Sequence, residues 1–169
     1  MGKKFRKSII VTVAVILIAM FGFSAAAQEN EKSLDVLFVH DTHSHLKEFA
    51  TVEDGESQVL GGFAKIKTLI NEKKAENPDT LILDAGDFSM GTLIQVVFEE
   101  EASEIRMLGN LGVEVTTLGN HEFDYRAKGL ANMMNNAVAS GEALPEMVIS
   151  NVDWDAMKAA GLTEEQQLL

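Results

Sequence analysis

The chain has 169 residues and 46% apolar content, enough for one packed domain and too much for a disordered tail. Its formal net charge of −12, with 14 Lys+Arg against 26 Asp+Glu, disfavours a polyanionic partner, and no basic stripe or aromatic platform offsets it, so nucleic acid is excluded as a partner. No cysteine is present, which rules out a disulfide framework, thiolate metal sites and a lipid on an N-terminal cysteine.

The first 27 residues have a layout of their own. Lys3, Lys4, Arg6 and Lys7 precede an apolar run from Ile9 to Phe23, followed by Ser24-Ala25-Ala26-Ala27. A charged start, a short apolar stretch and small residues at Ala25 and Ala27 predict a secretory signal cleaved before Gln28, too short for a spanning helix of roughly 20 apolar residues. The expected mature chain is extracytoplasmic, secreted or in the cell envelope, with no stable membrane span. Loss of those four basic residues and no acidic ones moves its net charge from −12 to −16.

Residues 28–33 read as a short polar linker. Leu34 to His40, with the continuous apolar run Val36-Leu37-Phe38-Val39, predicts a short buried strand, and a polar loop follows it. From Gly61 to about Ala75, Phe63, Ile66, Leu69 and Ile70 recur at helical spacing, and Asn77-Pro78-Asp79 stops the helix. A strand is expected over Thr80–Leu83, then a loop over Asp84–Gly91 and a helix from about Leu93 to Leu108. A strand over Val113–Thr117, a loop over Leu118–Asp124, a helix from about Ala127 to Ala139 and a strand over Met147–Ser150 complete the pattern. Met133 and Met134 read as helix core, and Trp154 as a packing anchor at the head of an amphipathic closing stretch. Strands alternating with helices indicate βαβ units, hence an α/β fold with a largely parallel sheet and helices on its faces. Sites in such sheets lie at the carboxyl ends of the strands.

Three polar clusters fall at those ends: Asp41-Thr42-His43-Ser44-His45, Gly86-Asp87, and Gly119-Asn120-His121-Glu122-Phe123-Asp124. Singly, an Asp-x-His or a Gly-Asp is commonplace. Together they place carboxylates, an imidazole and an amide where loops can converge, which is the donor set for manganese, iron or zinc. Asp124, three residues after His121, is spaced to hold its ring and raise its pKa. His45 reads equally as a support for the site or as a solvated loop residue, and His40 as the end of its strand.

These clusters resemble the opening motifs of the calcineurin-like metallophosphoesterases, whose pattern runs Asp-x-His, Gly-Asp, Gly-Asn-His-(Asp/Glu), a lone His and Gly-His-x-His. Asp84-Ala85-Gly86-Asp87, Gly91-Thr92, the helix start Gly61-Gly62-Phe63-Ala64-Lys65 and Gly119 to Asp124 resemble the exported 5'-nucleotidase and 2',3'-cyclic phosphodiesterase branch, over about Leu34 to Asp153. The resemblance implies the first half of a four-layer αββα sandwich, with 34–169 the N-terminal part of a catalytic domain. It implies two divalent ions: Asp41 and His43 on the first, Asp87 bridging, Asn120 on the second, with Asn120 and His121 toward the phosphate of a small phosphorylated substrate, a nucleotide foremost. By the same resemblance His121 and Asp124 form the catalytic pair.

No histidine follows His121, so the pattern's later ligands are not in this sequence, and the resemblance then implies weak or no hydrolysis by the chain alone, as for a truncated product. The competing readings are an exported non-catalytic module that binds metal or a partner through the same surface, and a different metal hydrolase such as an amidohydrolase, which leaves Gly119-Asn120-His121-Glu122 unexplained.

Overall fold

The computed structural model describes residues 33–161. The expected signal, all but the last residue of the polar linker and the chain's last eight residues lie outside the described residues.

Four short strands, β1 (Val36–Val39), β4 (Leu81–Asp84), β5 (Val115–Thr116) and β6 (Glu146–Met147), pair in parallel in the order β1-β4-β5-β6. The register sets Val36 beside Leu81 and Val39 beside Asp84, so β1 and β4 end level and their following loops start side by side. Helices fill the crossovers: α1 (Phe63–Glu76), α2 (Phe98–Glu101), α3 (Ser103–Leu111) and α4 (Arg126–Ala139), with α5 (Trp154–Ala160) after β6. A mixed α/β fold with a mostly parallel sheet is therefore what the strand and helix alternation produces, as expected.

The core forms where the helices meet the sheet. Phe63 and Ile70 of α1, Ile82 of β4, Phe88 of the following loop, Phe98 of α2, Ile105, Leu108 and Leu111 of α3, and Leu130 and Met133 of α4 make one buried cluster. The rings of Phe98 and Tyr125 stack with centroids 5.5 Å apart, joining α2 to the start of α4. Met133 is core, as expected, and Met134 packs against it in part.

Five expectations need correction. β1 is not buried on both faces, since Val36 is 46% and Phe38 61% exposed. It is the end strand of the sheet, and among the described residues its outer side has no neighbouring strand, so a continuous apolar run stands in for burial that these residues do not provide. Leu69 is likewise exposed at the helix margin, and Trp154 is exposed rather than an anchor. The helix expected over Leu93–Leu108 is broken: a 3-10 turn (Leu93–Val97) leads into α2, and the chain re-enters as α3 after Ala102, which sits in the left-handed region (φ 46) and is fully buried. Neither Gly nor Pro marks that break.

The fifth correction concerns the loop expected after β1, which contains an antiparallel hairpin, β2 (Glu48–Glu53) and β3 (Glu56–Gly61). Asp54 (φ 52) and Gly55 (φ 82) both have positive φ, the requirement of a tight two-residue turn whose twist matches the strands. Gly55→Ala meets no neighbour within 4 Å and acts through its backbone alone, so a loss of about 1 kcal/mol is expected in denaturant unfolding, with metal affinity unchanged.

Candidate metal centre

The loops after β1 and β4 run alongside each other beyond the sheet. Asp41 N donates to Gly86 O (3.1 Å), His43 N to Asp87 O (3.1 Å) and Ser44 N to Phe88 O (2.8 Å), which prolongs the parallel ladder into the loops. The backbone must curl sharply to do this. Asp41, His43, Ser44, Asp87 and Met90 all have φ between 45 and 64, a conformation that L-residues adopt at a cost and that concentrates where surrounding structure imposes it for function.

The curl brings one ligand atom from each of Asp41, His43 and Asp87 within 4.8 Å of one another. His43 donates from Nδ1 to Ser89 O (3.1 Å), which fixes the tautomer and leaves the Nε2 lone pair free, 3.6 Å from Asp41 Oδ1. Asp41 also accepts from the exposed ring of His40 (2.7 Å), which the sequence marks only as a strand end. That hydrogen bond, with the nearby His43, holds the Asp41 carboxyl below its ordinary range against a smaller opposing desolvation.

Asn120 lies beside the third ligand. One terminal atom of its amide is 3.1 Å from Asp87 Oδ2 and the other 3.3 Å from His121 N. In the metal-free protein the nitrogen satisfies Asp87 and the oxygen accepts from His121 N. With the amide turned over, two oxygens face each other, an arrangement that a cation between them would stabilise. Together with the His43 tautomer, this donor set suits a hard-to-borderline divalent ion.

The His121 ring meets His43 edge to face, centroids 5.1 Å apart, and its backbone N donates to Asp87 Oδ1 (2.9 Å). Its Nδ1 contacts Asp124 Oδ2 at 2.7 Å, and this hydrogen bond raises its pKa above the ordinary value. A raised folded-state pKa contributes stability fully below the unfolded value of about 6.5, lost as pH climbs through the folded value. Asp124→Asn is accordingly expected to move the NMR titration midpoint of His121 down and to remove that pH-dependent increment. An unchanged midpoint would show the pair to be incidental.

His45 is not brought into the cluster: its Nδ1 is 3.2 Å from Thr42 O and its ring packs on Phe49, centroids 5.8 Å apart. Asp153 caps α5 by accepting from Ala156 N (2.9 Å), a local backbone role.

Residues to which the sequence assigns no role lie beneath the ligands. Asp84 is buried, accepts from Thr116 Oγ1 (2.5 Å) and Gly86 N (2.9 Å), and so ties β4 to β5, while burial pushes its carboxyl pKa up. Glu104 of α3, also buried and also shifted up by desolvation, accepts from Ser44 Oγ (2.7 Å) and holds the His43 turn from below. Thr92 Oγ1 donates to Ser44 O (2.8 Å) from the other side. For the two carboxylates burial is the missing signal, because composition alone does not separate a buried carboxylate from a solvated one.

The family model of the calcineurin-like phosphoesterases matches residues 34–157. The chain belongs to the calcineurin-like phosphoesterase family. Members of this family use divalent metals, which agrees with the donor set of this phosphoesterase chain. It is 33% identical to a probable 5'-nucleotidase of Treponema pallidum over 106 residues, covering 60% of this chain and 18% of that protein. It is 36% identical to the 5'-nucleotidase of Bos taurus over 103 residues, covering 57% and 17%. The crystal structure of a 5'-nucleotidase precursor from Thermus thermophilus superposes with a TM-score of 0.59 at 30% identity, covering 72% of this chain and 23% of that one. The phosphoesterase chain thus spans about a fifth of the length of these relatives.

Proposed function

We propose that this chain carries the strand-end half of a two-metal site that hydrolyses phosphate monoesters, with nucleotides as the substrate class, outside the cytoplasm. The observation that carries the reading is the convergence of Asp41, His43 and Asp87 on strained loops at the ends of adjacent parallel strands, with the His43 tautomer already set for ligation. In this reading Asp41 and His43 would hold one ion, Asp87 would serve both, and Asn120 would hold the second. Such a pair of ions, when bound, polarises a phosphoryl oxygen and supplies hydroxide near neutral pH.

The remaining roles belong to the chain's own groups. His121, kept protonated to higher pH by Asp124, faces the same side as His43 and would stabilise charge developing on the phosphoryl oxygens or give a proton to the leaving oxygen. Nucleotides are favoured because the relatives named above are 5'-nucleotidases. An extracytoplasmic location rests on the layout of residues 1–27; among the described residues no helix is long and apolar enough to cross a membrane.

The test is hydrolysis of p-nitrophenyl phosphate and of AMP by the purified chain with and without added Mn2+. Metal-stimulated release of phosphate, however slow, supports the reading. Tight Mn2+ binding with no turnover in this chain or in one extended by the domain remainder of a relative would favour a non-catalytic metal-binding module.

A further inference from the structure

Beneath the metal ligands sits a carboxylate with no part in the chemistry proposed above. Glu122 is fully buried, and among the described residues no Lys or Arg pairs with it. Its Oε1 accepts from Ser89 N (3.0 Å) and Ser89 Oγ (2.8 Å). Its Oε2 accepts from Asp87 N (3.0 Å) and Gly119 N (2.7 Å). Four donors therefore converge on two oxygens, the arrangement that compensates a desolvated carboxylate in the absence of a cationic partner.

The donors are distributed in a way that has consequences for the site. They come from both flanks of the Asp87 turn and from the first residue of the Gly119-Asn120-His121 segment. Ser89, held at two atoms, presents the carbonyl that receives His43 Nδ1–H. One side chain thus fixes the backbone of Asp87 directly, that of Asn120 through its neighbour, and the ring of His43 through Ser89.

We infer that Glu122 is a positioning residue that sets the mutual geometry of His43, Asp87 and Asn120 before any cation arrives. This rests on the metal reading above. A divalent ion requires ligand atoms placed to a few tenths of an ångström, and partners behind the ligands commonly account for about 10- to 100-fold in affinity. A carboxamide cannot substitute, because its NH2 group would meet either the Ser89 donors or the Asp87 and Gly119 donors, and whichever way it turns one turn is released.

The test uses the full chain and Co2+ as a spectroscopic probe. Glu122→Gln is expected to weaken Co2+ binding by about 10- to 100-fold, to change the shape of the visible absorption band, and to speed amide hydrogen exchange at Asp87, Ser89 and Gly119. Ser89→Ala, which keeps all three backbone donors and loses only the hydroxyl, should shift affinity and band in the same direction by a few-fold, and it supplies the answer if Glu122→Gln does not fold. A folded Glu122→Gln, or failing that Ser89→Ala, with unchanged Co2+ affinity and band would overturn the inference and leave Glu122 a residue of stability only. A wild-type chain that binds no Co2+ despite exchange-protected amides at those three positions would instead overturn the metal reading, and the positioning role with it.

Discussion

Asp87→Asn should lose metal binding by at least about 100-fold, and with it any metal-stimulated phosphate release, while the metal-free chain unfolds at the same temperature or slightly higher. The asparagine has the same shape, and its oxygen can still accept from His121 N, so the local fold keeps that hydrogen bond. What disappears is the negative charge facing Asp41 and the anionic oxygen shared with Asn120. In the metal-free protein this removes repulsion between carboxylates, and in the loaded protein it would remove an anionic group of the candidate metal cluster. Isothermal titration with Mn2+ and a thermal melt, run on the same sample, read the two effects separately. A parallel fall in both would mean that Asp87 is structural.

The second large effect is expected at Gly119. A Cβ there would enter the Asp87 carboxyl group and lie 2.6 Å from the Asp87 backbone nitrogen. Neither neighbour can yield: Asp87 N is held by Glu122, and Gly119 N is held by the same carboxylate. Gly119→Ala is therefore an overpacking change at the point where two turns touch, with a cost of about 1–3 kcal/mol. For a chain of this length each kcal/mol corresponds to roughly 2–4 °C in Tm. Unlike Asp87→Asn, this variant should lose stability and metal affinity together, since moving either turn displaces the Asp87 carboxylate. Wild-type affinity in Gly119→Ala would show that the ligands do not depend on this close approach.

The contrast between these variants reflects what the sequence can convey. Asp41, His43, Asp87 and Asn120 stand out in the sequence because their chemical types are uncommon in combination and each follows a stretch that forms a strand. The supports do not. Glu122 and Glu104 are acidic residues in an acidic chain, and only their burial separates them from the solvated majority. The β2–β3 hairpin carries a turn signal in Asp54-Gly55, but its strands are mostly polar and exposed, so hydrophobic alternation does not reveal them. Ala102 shows the opposite problem, a left-handed break at a fully buried residue of a type that favours helices. The apolar run of β1 reads as burial on both faces, whereas only its pairing with β4 is made among the described residues.

Crystals of the chain soaked in Mn2+ and measured at an anomalous wavelength would test the central claim most directly. A peak is expected about 2.0–2.3 Å from Asp41, His43 Nε2 and Asp87 together, with the Asn120 amide turned oxygen-first toward Asp87 if a second ion is present. Ordered Mn2+ elsewhere on this acidic surface, with those three side chains bare at saturating metal, would contradict it.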